Sequence, residues 1–265
     1  TNTSYFVQDE WKVAPKWTVI PGVRVDHHSA FGTHTSPSIS VGYDVNAKTN
    51  VYAAYKEYFL APTPYQLFDG TNGNRNLKPE TGHEWSLGVH HKFGKTWNSN
   101  LSFFSRSTKD KIGWATNPAT GTVQYQNFDT EKAHGINADV RKQLTKHLSA
   151  RLGYTYTHID ATPTRKANRD GYIPKHAVNA GLDYNDAKWD AHLDIRGIID
   201  RPGPAANIFP RTTYWITDIS ANYRVRENVT VFGRVNNLFD TYYAEQSNVR
   251  WGNAADWWPG QGRNF

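Results

Sequence analysis

Leu148-Ser149-Ala150-Arg151-Leu152-Gly153-Tyr154-Thr155-Tyr156-Thr157 sets apolar or aromatic residues against polar or small ones without a break. A period of two puts one kind of residue on each face of a β-strand. The same alternation sets Trp189, Ala191, Leu193, Ile195 and Gly197 against Asp190, His192, Asp194 and Arg196. It also sets Ile39, Val41, Tyr43 and Val45 against Ser38, Ser40, Gly42 and Asp44. Working outward, about twelve such runs are predicted, at 4–13, 17–27, 36–46, 50–59, 83–93, 97–109, 133–144, 148–159, 176–185, 189–199, 213–225 and 229–239. No competing run has helical spacing. The connections alternate in length, with short ones at 14–16, 47–49, 94–96, 145–147, 186–188 and 226–228. The long ones are 28–35, 60–82, 110–132, 160–175, 200–212 and 240–262. Tight turns therefore share one end of the sheet and long loops the other. The fold class is all-β, an antiparallel up-and-down meander.

The composition sharpens this reading. The chain has 265 residues, 38% hydrophobic and 14% aromatic, with 10 Trp, 15 Tyr and 12 Phe, yet its mean hydropathy is −0.72. Such aromatic content excludes disorder. No stretch approaches the ~18 consecutive apolar residues of a transmembrane helix. The absence of Cys excludes disulfides, thiolate zinc sites and Cys nucleophiles. A net charge of +6, from 30 basic and 24 acidic residues scattered along the chain, gives no footprint for nucleic acid, and none is expected as a partner. There is no signal-like start and no Met, so the sequence reads as beginning after a removed segment or within a larger protein.

A soluble barrel or sandwich would alternate too. Three features argue against it. The runs are roughly 10–13 residues long, where about 5–6 is usual and ~9–11 tilted residues cross a bilayer. The polar face mixes charges of both signs: Arg24, Asp26, Glu84, Lys92, Arg106, Asp139, Arg141, Arg151, Asp194, Arg196, Asp218, Arg224 and Arg234. The apolar face sets aromatics beside the tight turns: Trp11, Trp17, Tyr43, Phe93, Trp97, Tyr184, Trp189 and Tyr223. An aromatic ring at one level is the girdle of a transmembrane β-barrel, whose apolar face meets lipid and whose polar face lines the lumen.

Several motifs go beyond patterning. They are Tyr5-Phe6-Val7-Gln8-Asp9-Glu10-Trp11, Gly22-Val23-Arg24-Val25-Asp26, Phe59-Leu60-Ala61-Pro62-Thr63 and Asn76-Leu77-Lys78-Pro79-Glu80. Further on stand Asn236-Asn237-Leu238-Phe239-Asp240 and Pro259-Gly260-Gln261-Gly262-Arg263-Asn264-Phe265. In this order the set resembles the C-terminal barrel half of TonB-dependent outer-membrane receptors, over essentially the whole chain. The resemblance implies a barrel of about 22 strands closed by an N-terminal plug. This chain would then be one domain, 1–265, holding about twelve of those strands, without plug or energy-coupling segment and with an unfinished last strand. The motif residues Phe59, Ala61, Pro62, Asn76, Leu77, Pro79, Glu80, Asn236, Asn237, Leu238, Phe239, Asp240, Gly260 and Arg263 read as shapers of loops and register.

No nucleophile elbow, phosphate loop or His-Glu-x-x-His stands in the sequence, so no enzyme is expected and no catalytic residue is assigned. No metal site is assigned either: Asp69-Gly70-Thr71-Asn72-Gly73-Asn74 lacks the closing Glu of a calcium loop and reads as a Gly/Asn turn. Haem receptors of this family place a His between the two loop motifs, and the interval Phe59–Asn76 has none. The long-loop side instead gathers Tyr65, Phe68, Arg75, Trp114, Tyr125, Arg201, Arg211, Trp251 and Trp257, with Arg165, Arg169, Tyr172, Arg250 and Trp258 beside them. Aromatic faces with guanidinium groups suit an anionic, ring-bearing ligand such as a ferric siderophore. The expectation is a monomeric receptor in the bacterial outer membrane that imports a ferric siderophore, with iron carried in the ligand and no cofactor of its own. The resemblance implies that the TonB complex acts through the missing N-terminal region, and outer-membrane lipid and lipopolysaccharide surround the wall. Haem or cobalamin receptors, and a passive porin-like or adhesive barrel, stay open as alternatives.

Overall fold

The computed structural model describes residues 1–117, 119, 121–161, 173–201, 212–249 and 255–265. The sheet is built from β1 (Asn2–Gln8), β2 (Trp11–Ala14), β3 (Trp17–His28), β4 (Gly32–Asn46), β5 (Thr49–Leu60), β6 (Glu80–Phe93) and β7 (Trp97–Thr116). It continues through β8 (Val123–Gln143), β9 (Leu148–Ala161), β10 (His176–Asn185), β11 (Trp189–Arg201), β12 (Thr212–Arg226) and β13 (Val229–Val235). Each strand from β3 to β13 pairs with its sequence neighbours, β1 and β2 both pair with β3, and the registers are antiparallel. This is the meander expected from the short-and-long beat.

Three details differ from the sequence reading. The first run breaks into β1 and β2 at Asp9-Glu10, opposite Pro21. Asp9 N still donates to the Pro21 carbonyl at 3.2 Å, but proline has no N–H to return, and the Asp9 carboxylate accepts locally from Glu10 N and Trp11 Nε1. The segment 110–132, read as a loop, is mostly strand: β7 has 20 residues and β8 has 21. The pair thus extends by roughly ten residues past the ~9–11 that cross a bilayer. Finally, a one-turn helix α1 (Pro64–Phe68) and a separate hairpin, β14 (Ala244–Val249) with β15 (Ala255–Pro259), occupy two of the long loops.

Burial is inverted relative to a water-soluble sheet. Buried side chains include Asp26, Ser36, Glu80, Thr108, Glu131 and Ser149, with Asp26 only 4% exposed. Trp85, Leu87, Leu101, Phe103 and Leu182 stand exposed on the other face, as does Leu152 at 52%. The girdle aromatics sit opposite one another in register: Trp17 on Tyr43 and Trp189 on Tyr223, each with ring centroids 4.6 Å apart. A sheet face so rich in exposed apolar residues calls for an apolar solvent.

The chain divides into two compact units, Thr1–Val89 with Ser102–Gly135 and His158–Asn168, and His90–Leu101 with Ile136–Thr157 and Arg169–Phe265. In the first, the polar face pairs Arg24 with Asp26 at 2.8 Å and Lys56 with Glu84 at 2.9 Å. In the second, Arg151 bridges Asp183 and Asp194. The tight turn after β10 is closed by Asp186, whose carboxylate accepts from the Tyr184 hydroxyl and from Trp189 N and Lys188 N. These donors hold it at about 2, below an ordinary carboxylate.

Glycines on the polar face make room for large neighbours. The nearest atoms to a Cβ on Gly88 would be the ring end of Tyr52, whereas one on Gly82 would fall 2.4 Å from the Ser107 carbonyl oxygen as well as against Tyr58. Gly82→Ala is therefore expected to destabilise the full-length barrel by about 1–3 kcal/mol through overpacking. Gly88→Ala should cost less and be relieved by Tyr52→Ala. Urea unfolding read by heat-modifiable gel mobility checks this; equal costs at both glycines would contradict it.

Candidate functional site

The long-loop end of the first unit is organised around α1. Thr63 caps it: its hydroxyl accepts from Gln66 N at 3.2 Å while the Gln66 side chain accepts from Thr63 N at 2.8 Å. Pro64 follows at the first helical position, where its missing N–H costs nothing. The helix buries Leu67 against Leu77 and Ile112, with Phe31 and Tyr125 packed on that cluster. Tyr65 and Phe68 point the other way and are 58% and 62% exposed. Tyr65 meets Tyr125 edge-on at 6.2 Å, and the Arg75 guanidinium lies 5.4 Å over the Phe68 ring. Tyr65, Phe68, Arg75 and Tyr125 thus form two linked pairs on one loop platform.

Hydrogen bonds tie that platform to the β7–β8 hairpin. Asp69 accepts from Thr71 N and Asn72 N, and Gly73 N donates to the Asp69 carbonyl, so the 69–74 stretch is a turn closed on its own first residue. Asn74 Nδ2 donates to the Tyr125 carbonyl at 2.8 Å, and Tyr125 N donates to the Asn72 carbonyl at 3.0 Å. Asn127 Oδ1 accepts from Lys78 N at 2.8 Å, while its Nδ2 donates to the carbonyls of Lys78 and Asp110 at 2.9 and 2.6 Å. Its amide acts as a short piece of strand between loop and hairpin. The buried Glu80 carboxylate accepts from Ile112 N at 2.8 Å and pairs with Lys111 at 3.1 Å.

The remaining motif residues fall into place around these. Phe59 stacks on His34 at 4.8 Å, Pro62 is buried, Ala61 and Pro79 are half-buried, and Asn76 is exposed. In the second unit, Asn237 N donates to Asp218, its side chain donates to the carbonyls of Thr241 and Gln261, and it accepts from Thr241 N. Asn237 and Asp240 both take positive φ, 50° and 53°, which Asn and Asp tolerate best among residues with a side chain. Asn236 bridges to Asn264, Leu238 N donates to the Thr217 carbonyl, and Arg263 N donates to Asp240. Phe239 is exposed, and a Cβ on Gly260 would fall 2.0 Å from the Tyr243 ring.

The candidates for ligand contact do not all share one surface. Arg201 is 5% exposed; it donates to the Ala244 carbonyl and lies 5.6 Å from the centre of the Tyr214 ring. Trp114 lies in β7, and Trp257 and Trp258 in β15, but their side chains are outside what is described. Arg211, Trp251, Arg165, Arg169, Tyr172 and Arg250 lie outside the described residues. Sequence reasoning missed Asn127, Asn74 and Ile112. A short strand beat was present inside the segment read as loop, Val123 and Tyr125 against Gln124 and Gln126, but Asn127 and Phe128 reverse its phase.

An antiparallel sheet that buries its polar face and exposes its apolar one is the wall of a transmembrane β-barrel. The TonB dependent receptor-like, beta-barrel family model matches residues 1–238. The chain belongs to that family, and it is an outer-membrane protein. It is 29% identical, over 94% of its length and 43% of the relative's, to the iron-regulated outer membrane virulence protein of Vibrio cholerae serotype O1. It is 27% identical to the vitamin B12 transporter BtuB of Photobacterium profundum, over 91% of this chain and 40% of that one. The siderophore receptor PirA from Pseudomonas aeruginosa, solved as a crystal structure, superposes with a TM-score of 0.71 at 25% identity, over 91% of this chain and 43% of that one. The chain spans about two fifths of the length of these relatives.

Asn127 makes three hydrogen bonds worth about 1 kcal/mol each, so Asn127→Ala is expected to loosen the loop without unfolding the wall. In the full-length receptor, protease cleavage within 69–80 should accelerate several-fold while heat-modifiable mobility is unchanged. An unaltered cleavage rate would show that the clamp does not hold the loop.

Proposed function

We propose that the chain is the barrel portion of a receptor that takes up a ferric siderophore, energised through TonB by a region outside this sequence. One observation carries the reading: Tyr65 and Phe68 present exposed rings beside Arg75 and Tyr125 on a loop pinned to a hairpin. Exposed aromatic faces next to a guanidinium favour an anionic ligand with flat rings. Pre-organisation matters here, because a platform already fixed by Leu67, Leu77, Ile112 and Asn127 loses little entropy on binding. The iron-regulated relative supports an iron ligand. The vitamin B12 transporters among the relatives support cobalamin as the second reading.

In this account the ligand settles on the platform from outside, and the polar face of the wall offers it a hydrated path. Several charges on that face are paired, Arg151 with Asp183 and Asp194 and Lys56 with Glu84. Removing an aromatic or guanidinium anchor from a binding surface costs on the order of 1–2 kcal/mol, or about tenfold in affinity.

The test uses the full-length gene in a strain lacking its own ferric receptors. Growth under iron limitation should be restored by ferric catecholate or hydroxamate siderophores, and Phe68→Ala with Arg75→Ala should raise the apparent Kd by roughly tenfold or more. Growth that responds only to haem, or a phenotype confined to cobalamin use, would overturn the siderophore assignment.

A further inference from the structure

The tight-turn end of the strands carries a charge pattern that uptake does not use. Each of the six tight turns holds one basic residue: Lys16, Lys48, Lys95, Lys146, Lys188 and Arg226. Only Asp186 and Glu227 oppose them there, although the chain as a whole has 30 basic and 24 acidic residues. All six basic residues are exposed. Asp186 is committed to its own hairpin, where the Tyr184 hydroxyl and two backbone N–H groups share its charge.

In the second unit these cations stand directly beyond outward-facing aromatics. Lys95 lies between Phe93 and Trp97, whose rings are 6.5 Å apart. Lys146 precedes His147, which sits 6.1 Å from the Tyr184 ring. Lys188 precedes Trp189, which packs on Tyr223. Lys142 goes further: it belongs to the apolar face of β8, in phase with the exposed Ile136, and its ammonium lies 4.2 Å over the Trp97 ring. Interfacial aromatics mark the depth at which hydrocarbon gives way to headgroups. A lysine on a lipid-facing surface turns its ammonium to that same level. Within the second unit successive tight turns are two strand spacings apart, roughly 10 Å, close to one Debye length at physiological salt. The fields of Lys95, Lys146, Lys188 and Arg226 therefore merge along that rim.

We infer that this rim is a binding surface for anionic glycerophospholipid in the leaflet on the tight-turn side. Lys95, Lys142 and Lys146 would hold the phosphodiester headgroup, and Trp97 would lie against the glycerol and upper chains. A zwitterionic headgroup brings its own cation and gains less, so the surface selects by net charge. Basic residues near an anionic membrane surface each favour association by about fivefold. The inference rests on the wall alone and stands apart from the identity of the imported ligand.

The experiment uses the full-length receptor in nanodiscs of mixed phosphatidylglycerol and phosphatidylcholine. One lipid at a time is brominated, and the quenching that is lost in Trp97→Phe is assigned to Trp97. Phosphatidylglycerol should be enriched at Trp97 about fivefold or more over phosphatidylcholine at low salt, and the enrichment should collapse at high salt. K95Q/K142Q/K146Q should abolish it while heat-modifiable mobility is retained; Lys142→Gln alone, with its salt dependence, serves if the triple variant misfolds. Equal quenching by the two lipids would overturn the proposal, as would enrichment that survives the substitutions. Loss of enrichment on adding inorganic phosphate, but not chloride at the same ionic strength, would reveal a free-anion site and would equally overturn it.

Discussion

Every backbone N–H and C=O within a bilayer must find a partner inside the protein, since hydrocarbon offers none. Here the ladder meets that demand, with antiparallel registers running unbroken over ten or more pairs between β3 and β4 and between β10 and β11. Once hydrogen bonding is settled by the sheet itself, the side chains are free to adopt an inside-out arrangement. Leu152, Trp85 and Leu87 go to the outer face, while Asp26, Ser149 and Thr108 are buried. A soluble sheet of the same sequence would leave these apolar residues in water at about 25 cal/mol per Å².

The polar face then has to hold its charges and fit closely. Local pairs offset part of the charge, Arg24 with Asp26, Lys56 with Glu84 and Arg151 with two aspartates. Fit comes from glycines that accept large neighbours, Gly82 under Tyr58 and Gly88 under Tyr52. Ring-over-glycine packing leaves the backbone of adjacent strands close and fills the gap with an aromatic surface. The same economy appears at the loop end. There the Asn127 amide replaces a stretch of strand, binding both the N–H and the C=O of Lys78, so a loop without its own ladder is still tied to the hairpin. That clamp converts a long connection into a platform able to hold Tyr65, Phe68 and Arg75 in fixed relation.

Most of the wall was legible in the sequence because a period of two is imposed by backbone geometry and needs no knowledge of partners. Leu148 to Thr157 and Trp189 to Gly197 give their faces away residue by residue. The family motifs were also legible as residues, although their roles rest on contacts between distant segments. Glu80 shows only as a conventional acid until Ile112 N and Lys111 are seen to bind it. The strand break at Asp9-Glu10 was hidden because the alternation survives it; it follows from Pro21 lying opposite Asp9 with no N–H to give the ladder. Arg201 looked like a loop cation by position, and its burial against Ala244 and Tyr214 depends on a hairpin more than forty residues on. The upper parts of β7 and β8 were misread because charge and glycine blur the alternation outside the apolar band.

The inverted sheet is the claim on which the reading of lumen, girdle and platform rests. Because the chain has no Cys, single cysteines can be placed along β9 in the full-length receptor and spin-labelled in lipid bilayers. Accessibility to oxygen, which concentrates in hydrocarbon, should peak at Ala150→Cys, Leu152→Cys and Tyr154→Cys and fall at Ser149→Cys, Gly153→Cys and Thr155→Cys. The opposite phase, or no oscillation along the strand, would contradict the account.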